Sequence, residues 1–352
     1  MNLEITRLDP FQILASTKAV MENAEFVGLN QGAMERNAAR IGEYLKEHAE
    51  FPDHGHRLTG DFETDVQLIF FESMMGFCFW ALQGEAKWGI ELADGEKVDG
   101  WYGVCAAFKR AYEEGVPVTD VDFLMKAGES DVRNIFRSAT GAEIPLLKER
   151  ARILNENARI LKERFGGKAI NLIEDADRDA VKLFKLLQRY FPSYRDVAAY
   201  NGHEVVFLKI AHLLALDLEY RLTPQSKRPF LKNFDQLCVF ADYKLPQLLR
   251  MFGMVEYEKS LADMIDSYTV IPAGSEQEVE IRSGAIWGVE LLRQQLPAYS
   301  SNSASAPRFT RDCAALEAAL PIQIGHVIWL MSQDQALQSQ IKPYHRTYTT
   351  FY

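Results

Sequence analysis

Two ionisable residues stand where the surrounding sequence is apolar, and they define the chemistry open to this chain. Asp242 lies in Val239-Phe240-Ala241-Asp242-Tyr243-Lys244-Leu245-Pro246-Gln247, after an apolar run and four residues before a proline. Proline is tolerated in a first helical turn, so a helix can open here. Asp242 then lies at the positive end of a helix dipole, which favours its ionised form. A carboxylate so placed either caps the helix or, in a pocket, stabilises a forming cation or orients a water. Lys209 lies in Val205-Val206-Phe207-Leu208-Lys209-Ile210-Ala211-His212-Leu213. A helix over 205–220 puts Val205, Val206, His212 and Leu213 beside it. A lysine on so apolar a face either snorkels to water or meets an anion. A carboxylate from another helix would make that second outcome a candidate site.

Other groups offer weaker chemistry. His54-Gly55-His56 could form half of a metal site, but no Cys or His partner set accompanies it. Pro343-Tyr344-His345-Arg346-Thr347-Tyr348 combines aromatic rings with two cations. Such a cluster could stack on a base or hold a phosphate, or it could dock the tail onto the fold. Glu278-Val279-Glu280-Ile281-Arg282 alternates charge with apolar residues, a pattern that suits a structural ion pair. P-loop, G-x-G-x-x-G and H-E-x-x-H signatures are missing from the sequence.

Composition narrows the class. The 352 residues carry 39 basic and 49 acidic side chains, for a net charge of −10. Binding a nucleic-acid polymer rests on many Lys and Arg contacts that release counterions, so this balance argues against such a partner. A small anionic ligand needs only a local cluster. Cys78, Cys105, Cys238 and Cys313 are scattered among apolar residues and read as buried free thiols. With no apolar stretch of membrane-spanning length and no secretory signal, the expectation is a cytoplasmic protein.

The elements that must position these residues are mainly helical. Helices are expected on either side of Gly28-Leu29-Asn30 within 10–48, then over 104–114, 131–137, 145–165, 177–190, 205–220 and 283–295. The aromatic-rich run 65–82 reads as core. Residues 88–101 read as a β-hairpin turning at Asp94-Gly95. The Ser-rich stretch 300–307 reads as a surface loop. The simplest account is a single α-rich domain with a small β insert.

Taken in order, several stretches resemble the queuosine salvage protein family, the queuosine 5′-phosphate N-glycosylases. They are Val132-Arg133-Asn134-Ile135-Phe136-Arg137-Ser138, Glu149-Arg150-Ala151-Arg152-Ile153-Leu154-Asn155-Glu156 and Phe191-Pro192-Ser193-Tyr194-Arg195-Asp196. The Phe240–Gln247 block, Gln277-Glu278-Val279-Glu280-Ile281-Arg282 and His345-Arg346 complete the set. The resemblance implies hydrolysis of the bond between queuine, a 7-deazaguanine base, and ribose 5-phosphate. It also implies a fold similar to helix-hairpin-helix DNA glycosylases, which use a lysine and an aspartate. Lys209 and Asp242 fall on the matching positions and are the expected catalytic pair. Phe240, His54 or His56, Asp334, Tyr243, Arg282, His345 and Arg346 are the expected substrate contacts. A modified nucleotide is the implied partner, with no cofactor, no nucleic-acid polymer and no membrane.

Four positions depart from the family pattern. Ser73 and Gly76 stand where it carries Asp and Asn, before Phe77-Cys78-Phe79-Trp80. Gly325 and Leu330, near Trp329, replace two acidic residues. Lost carboxylates change hydrogen bonding to base or diol edges. An N-glycosylase for a related 7-deazapurine or other modified nucleotide, and a non-catalytic nucleotide-binding homologue, are therefore the alternatives. Because the sequence carries no metal signature, a chelator such as EDTA is expected to leave activity unchanged. Activity lost to the chelator and restored by a metal ion would overturn this.

Overall fold

The computed structural model describes residues 2–48, 58–93, 95–226, 229–296 and 319–352. Most helix ends follow local rules. Asn30 accepts from Ala33 N–H to cap Gln31–Glu47, and Asp179 accepts from Lys182 N–H to cap Ala180–Tyr190. The Leu147–Phe165 helix stops where Gly166 adopts φ 61°, the left-handed conformation that favours glycine.

Among the described residues the strands pair only as short antiparallel ribbons. Gly89–Glu91 pairs with Lys97–Asp99, which bears out the expected hairpin. Val27–Leu29 pairs with Val255–Tyr257, and Val197–Tyr200 with His203–Val206. The last ribbon corrects the expected helix over 205–220. Asn201 and Gly202 both have positive φ, 49° and 77°. That is the two-residue turn of a tight hairpin, and the β-branched Val205 and Val206 suit the returning strand. The helix therefore begins at Lys209 and runs Lys209–Ser226. A second correction lengthens the expected 283–295 helix to Glu276–Gln295, capped by Ser275. The alternating Glu278–Arg282 segment lies inside it.

The described chain forms two compact units, each assembled from separate segments. The first comprises Met1–Phe51, Asp196–His212 and Asp235–Tyr348. Its centre is the Glu276–Gln295 helix, buried continuously from Glu278 to Leu292. Around it pack Ile13–Met21, Gln31–Glu47, Lys244–Met251, Pro321–Met331 and the Val27–Leu29 strand. The second unit comprises Pro52–Arg195, Leu213–Phe234 and Thr349–Tyr352. Its core is aromatic: Phe191 meets Phe70 at 5.6 Å and Phe165 at 6.0 Å between ring centroids. The irregular 74–80 segment is buried there, as its composition suggested.

That buried segment needs hydrogen-bond partners for its backbone, and Arg150 supplies them. Its Nε donates to the Pro145 carbonyl, Nη1 to Met75 and Nη2 to Phe77, at 2.9, 2.7 and 2.6 Å. Its guanidinium also lies 4.1 Å from the Phe77 ring centroid. Cys78, Cys105 and Cys238 are buried free thiols, and Cys313 lies outside the described residues. Substituting Arg150→Met removes its hydrogen bonds to the Pro145, Met75 and Phe77 carbonyls, at about 1 kcal/mol or more each. A loss of about 3 kcal/mol in unfolding free energy is expected from denaturant titration, and an unchanged midpoint would deny Arg150 this role.

Candidate active site

Asp242 sits two residues before the Lys244–Met251 helix and is only 8% exposed. Its Oδ1 accepts from the amides of Lys244 and Leu245, both at 2.9 Å. Pro246 is the third residue of that helix, where its missing N–H costs nothing. Asp242 therefore does cap the helix, but with one oxygen. Among the described residues Oδ2 has no hydrogen-bond partner. Burial raises the carboxyl pKa, opposed first by the Lys209 charge and then by the two amides. The cap thus fixes the carboxylate's orientation and leaves Oδ2 outside it.

Lys209 opens the Lys209–Ser226 helix and is 5% exposed. The residue before it, Leu208, takes φ 54°. A left-handed conformation costs a non-glycine residue about 1–3 kcal/mol, so the surroundings must hold it. Asp196 does so. Its carbonyl accepts from Phe207 and Leu208 at 3.0 and 3.3 Å, and its Oδ2 accepts from the Lys209 amide at 2.9 Å.

Asp196 is in turn gripped by Arg282. The two guanidinium ends donate to Oδ1 and Oδ2 at 2.8 and 2.6 Å. The third edge, Nε, donates to the Ala241 carbonyl at 3.2 Å, in the peptide that leads into Asp242. Arg282 also lies 3.9 Å from the Phe207 ring centroid and 3.6 Å from Glu278 Oε1. The ion pair expected within Glu278–Arg282 is therefore present, and Asp196 is its stronger partner. One buried pair thereby holds the main chain on both sides of the site.

His212 adds a second tie. Its Nδ1 lies 2.8 Å from the Leu208 carbonyl, and Nε2 accepts from the Cys238 amide at 3.1 Å. Accepting at Nε2 assigns the proton to Nδ1. Burial pushes the imidazole pKa down to about 4, so the ring stays neutral and this pairing persists near neutral pH.

The C-terminal cluster docks beside Asp242. Tyr344 packs on Tyr243 at 4.8 Å between centroids, with Lys244 Nζ at 5.1 Å and Arg346 Cζ at 4.8 Å from its ring. Arg346 also covers Tyr268 at 4.4 Å, and its carbonyl accepts from Ile271 N–H. His345 is buried, with a pKa lowered to about 3 by burial and by the Arg282 charge. The rings and cations noted in the sequence thus pack on one another and on Tyr243, and the Lys244 charge acts on the Asp242 carboxyl.

Of the expected site residues, Asp242, Lys209, Phe240, Tyr243, Arg282, His345 and Arg346 all belong to the first unit. Phe240 is buried beside Gly325. Asp334 caps the short Gln335–Gln338 helix through the Ala336 amide. Among the described residues no hydrogen bond or ion pair joins it to Asp242. His54 and His56 lie outside the described residues. Asp196 was not anticipated as part of the site. It closes the Phe191–Asp196 stretch, and nothing local marks its partner 86 residues on. No cluster of three or more metal-ligating side chains occurs among the described residues, and no described helix is long and apolar enough to cross a membrane.

Comparison with known proteins supplies independent context. The family model for queuosine salvage protein matches residues 56–352. The queuosine 5′-phosphate N-glycosylase/hydrolase of Sphaerobacter thermophilus is 38% identical over 347 residues, 98% of each chain. The protein of the same name from Bos taurus is 34% identical over 290 residues, covering 80% of this chain and 83% of its own. That of Schizosaccharomyces pombe is 29% identical over 317 residues, covering 84% and 91%.

The positions expected to depart from the family pattern have tight surroundings. A Cβ at Gly325 would lie 2.2 Å from Val239 Cγ2, and one at Gly76 would lie 2.3 Å from Leu213 Cδ2. Each glycine admits a neighbour into space that a side chain would fill. Ser73 donates to the Phe70 carbonyl of its own helix, and Leu330 is buried. Gly325→Asp is therefore expected to destabilise the fold by about 1–3 kcal/mol through overpacking, read as a lower denaturant midpoint. A midpoint equal to the parent's would mean that Val239 yields without cost.

Proposed function

The chain belongs to the queuosine salvage protein family, and we propose that Asp242 is the group on which its hydrolysis of queuosine 5′-phosphate turns. The reaction releases queuine and ribose 5-phosphate, and the free base then becomes available for tRNA modification. The C1′–N bond breaks with its electron pair going to the base, which gains a proton. Positive charge builds on the sugar, and water supplies the oxygen that completes the new C1′ hydroxyl. A fixed anion beside that charge lowers the barrier, because it is already oriented when the charge appears.

The observation that carries this reading is the buried Asp242 carboxylate, oriented through Oδ1 with Oδ2 outside the cap. Oδ2 faces the developing cation and positions the attacking water. Lys209 favours the charged form of Asp242 and reaches a sugar or phosphate oxygen. Phe240 walls the base, and Lys244 and Arg346 supply local positive charge for a phosphorylated ligand. Arg282 acts through the main chain rather than on substrate. The likeness to helix-hairpin-helix DNA glycosylases enters on the same footing, supported by the lysine–aspartate pair. The net charge of −10 favours a free nucleotide over a polymer, and the cytosol is the proposed compartment.

Incubation with queuosine 5′-phosphate, queuosine and guanosine 5′-phosphate, followed by chromatography of released base, tests the substrate. Queuine is expected fastest from the phosphorylated form. Release of no base from any of the three would remove the hydrolase reading. Asp242→Asn is expected to lower kcat by at least about 10²–10³-fold, the scale of losing a transition-state charge partner. Binding measured by calorimetry should persist in that variant, and substantial turnover would take Asp242 out of the mechanism. The pH profile has a defined sign. The ionised carboxylate is the active form, so kcat falls as pH drops through the Asp242 pKa. That acid limb lies above the ordinary aspartate value, because burial raises it. Lys209→Met removes the largest opposing influence and is expected to move the limb to still higher pH. An unmoved limb would separate Lys209 from Asp242.

A further inference from the structure

The geometry points to Asp196 and Arg282 as a positioning pair that sets the placement of Lys209 against Asp242 during catalysis. The inference rests on the roles proposed above for those two residues and concerns what holds them.

Asp242 and Lys209 come from segments that share no secondary structure, and the Arg282–Asp196 pair reaches the backbone of both. Arg282 Nε holds the Ala241 carbonyl, so the peptide entering Asp242 is tied to the guanidinium plane. Asp196 Oδ2 accepts the Lys209 amide along with one guanidinium end. The Asp196 carbonyl holds Phe207 and Leu208, keeping the left-handed turn from which Lys209 projects. Arg282 is rooted in the stretch of the Glu276–Gln295 helix that is buried continuously from Glu278 to Leu292, so the plane to which both segments are tied is itself fixed. A guanidinium presents its donors in one rigid fork, which makes it a gauge of relative position that lysine cannot reproduce. His212 repeats the connection, joining Leu208 to Cys238 four residues before Asp242. Displacements of about 1 Å at reacting groups can cost about 100-fold in rate, so a pair that never touches substrate can still control turnover.

Asp196→Asn is the sharpest probe. The parent carboxylate accepts at both oxygens, and an amide must turn its NH2 toward an N–H of Arg282 or Lys209 whichever way it is flipped. Arg282→Lys keeps the charge but loses the fork, and it serves if the first variant does not fold. Rates with queuosine 5′-phosphate are taken per ligand-binding site, titrated by calorimetry, so loss of folded protein does not mimic loss of kcat. Each variant is expected to lower kcat at least tenfold with KM within threefold of the parent. Combined with Lys209→Met, Asp196→Asn is expected to cost less than it does alone, because the group it positions is already gone. Parent-like kcat, an equal change in kcat and KM, or full additivity with Lys209→Met would each overturn the inference. Asp242→Asn, run in parallel, separates the two levels. If that variant turns over, the catalytic reading fails. If it is inactive while Asp196→Asn is normal, only the positioning role fails.

Discussion

A guanidinium is costly to take out of water, and Arg282 is buried with its fork closed on an equally buried carboxylate. Desolvating both charges consumes much of their mutual attraction, so such a pair contributes modestly to net stability. Removing one partner nevertheless strands the other at a cost of about 3–5 kcal/mol. What the pair contributes is position. It also bonds to main-chain groups at Ala241 and Lys209. The strained Leu208 turn and the approach to Asp242 are consequences of where Asp196 and Arg282 sit.

Around that pair the first unit is arranged to expose little and orient much. Asp242 uses one oxygen as a helix cap, which a carboxylate does well because two backbone amides converge on it. The same bonds keep the other oxygen pointing in a defined direction. The Lys209 charge offsets part of the burial penalty that raises the carboxyl pKa. The neutral histidines His212 and His345 belong to the same economy. Burial holds both rings uncharged, and His212 then has one donor and one acceptor, matched to the carbonyl and amide it meets.

The glycines at 76 and 325 are positions where the sequence alone suggests missing polar groups. Placed in space, each is a point where a neighbouring aliphatic side chain enters the room a Cβ would need. The Val239 side chain meets Gly325 on the irregular segment leading into Asp242, so Gly325 allows close packing against the segment that presents the carboxylate.

Much was determined by the sequence alone. Asp242 and Lys209 were conspicuous because charge in apolar surroundings is improbable without a use, and that follows from composition along the chain. The Gly89–Asp99 ribbon, several of the helices and most of the buried run within 65–82 were legible for a related reason: turn, cap and burial preferences act over a few residues. The Asn201-Gly202 hairpin carried an equally local signal, but the apolar run after it read as continuous helix, so Lys209 was expected mid-helix rather than at a start. Tertiary structure alone decided the rest. Asp196 and Arg282 are 86 residues apart, and His212 and Cys238 are 26 apart. No local propensity encodes such pairings. They exist because a buried charge or amide must find a partner, and only the packed chain determines which one is within reach.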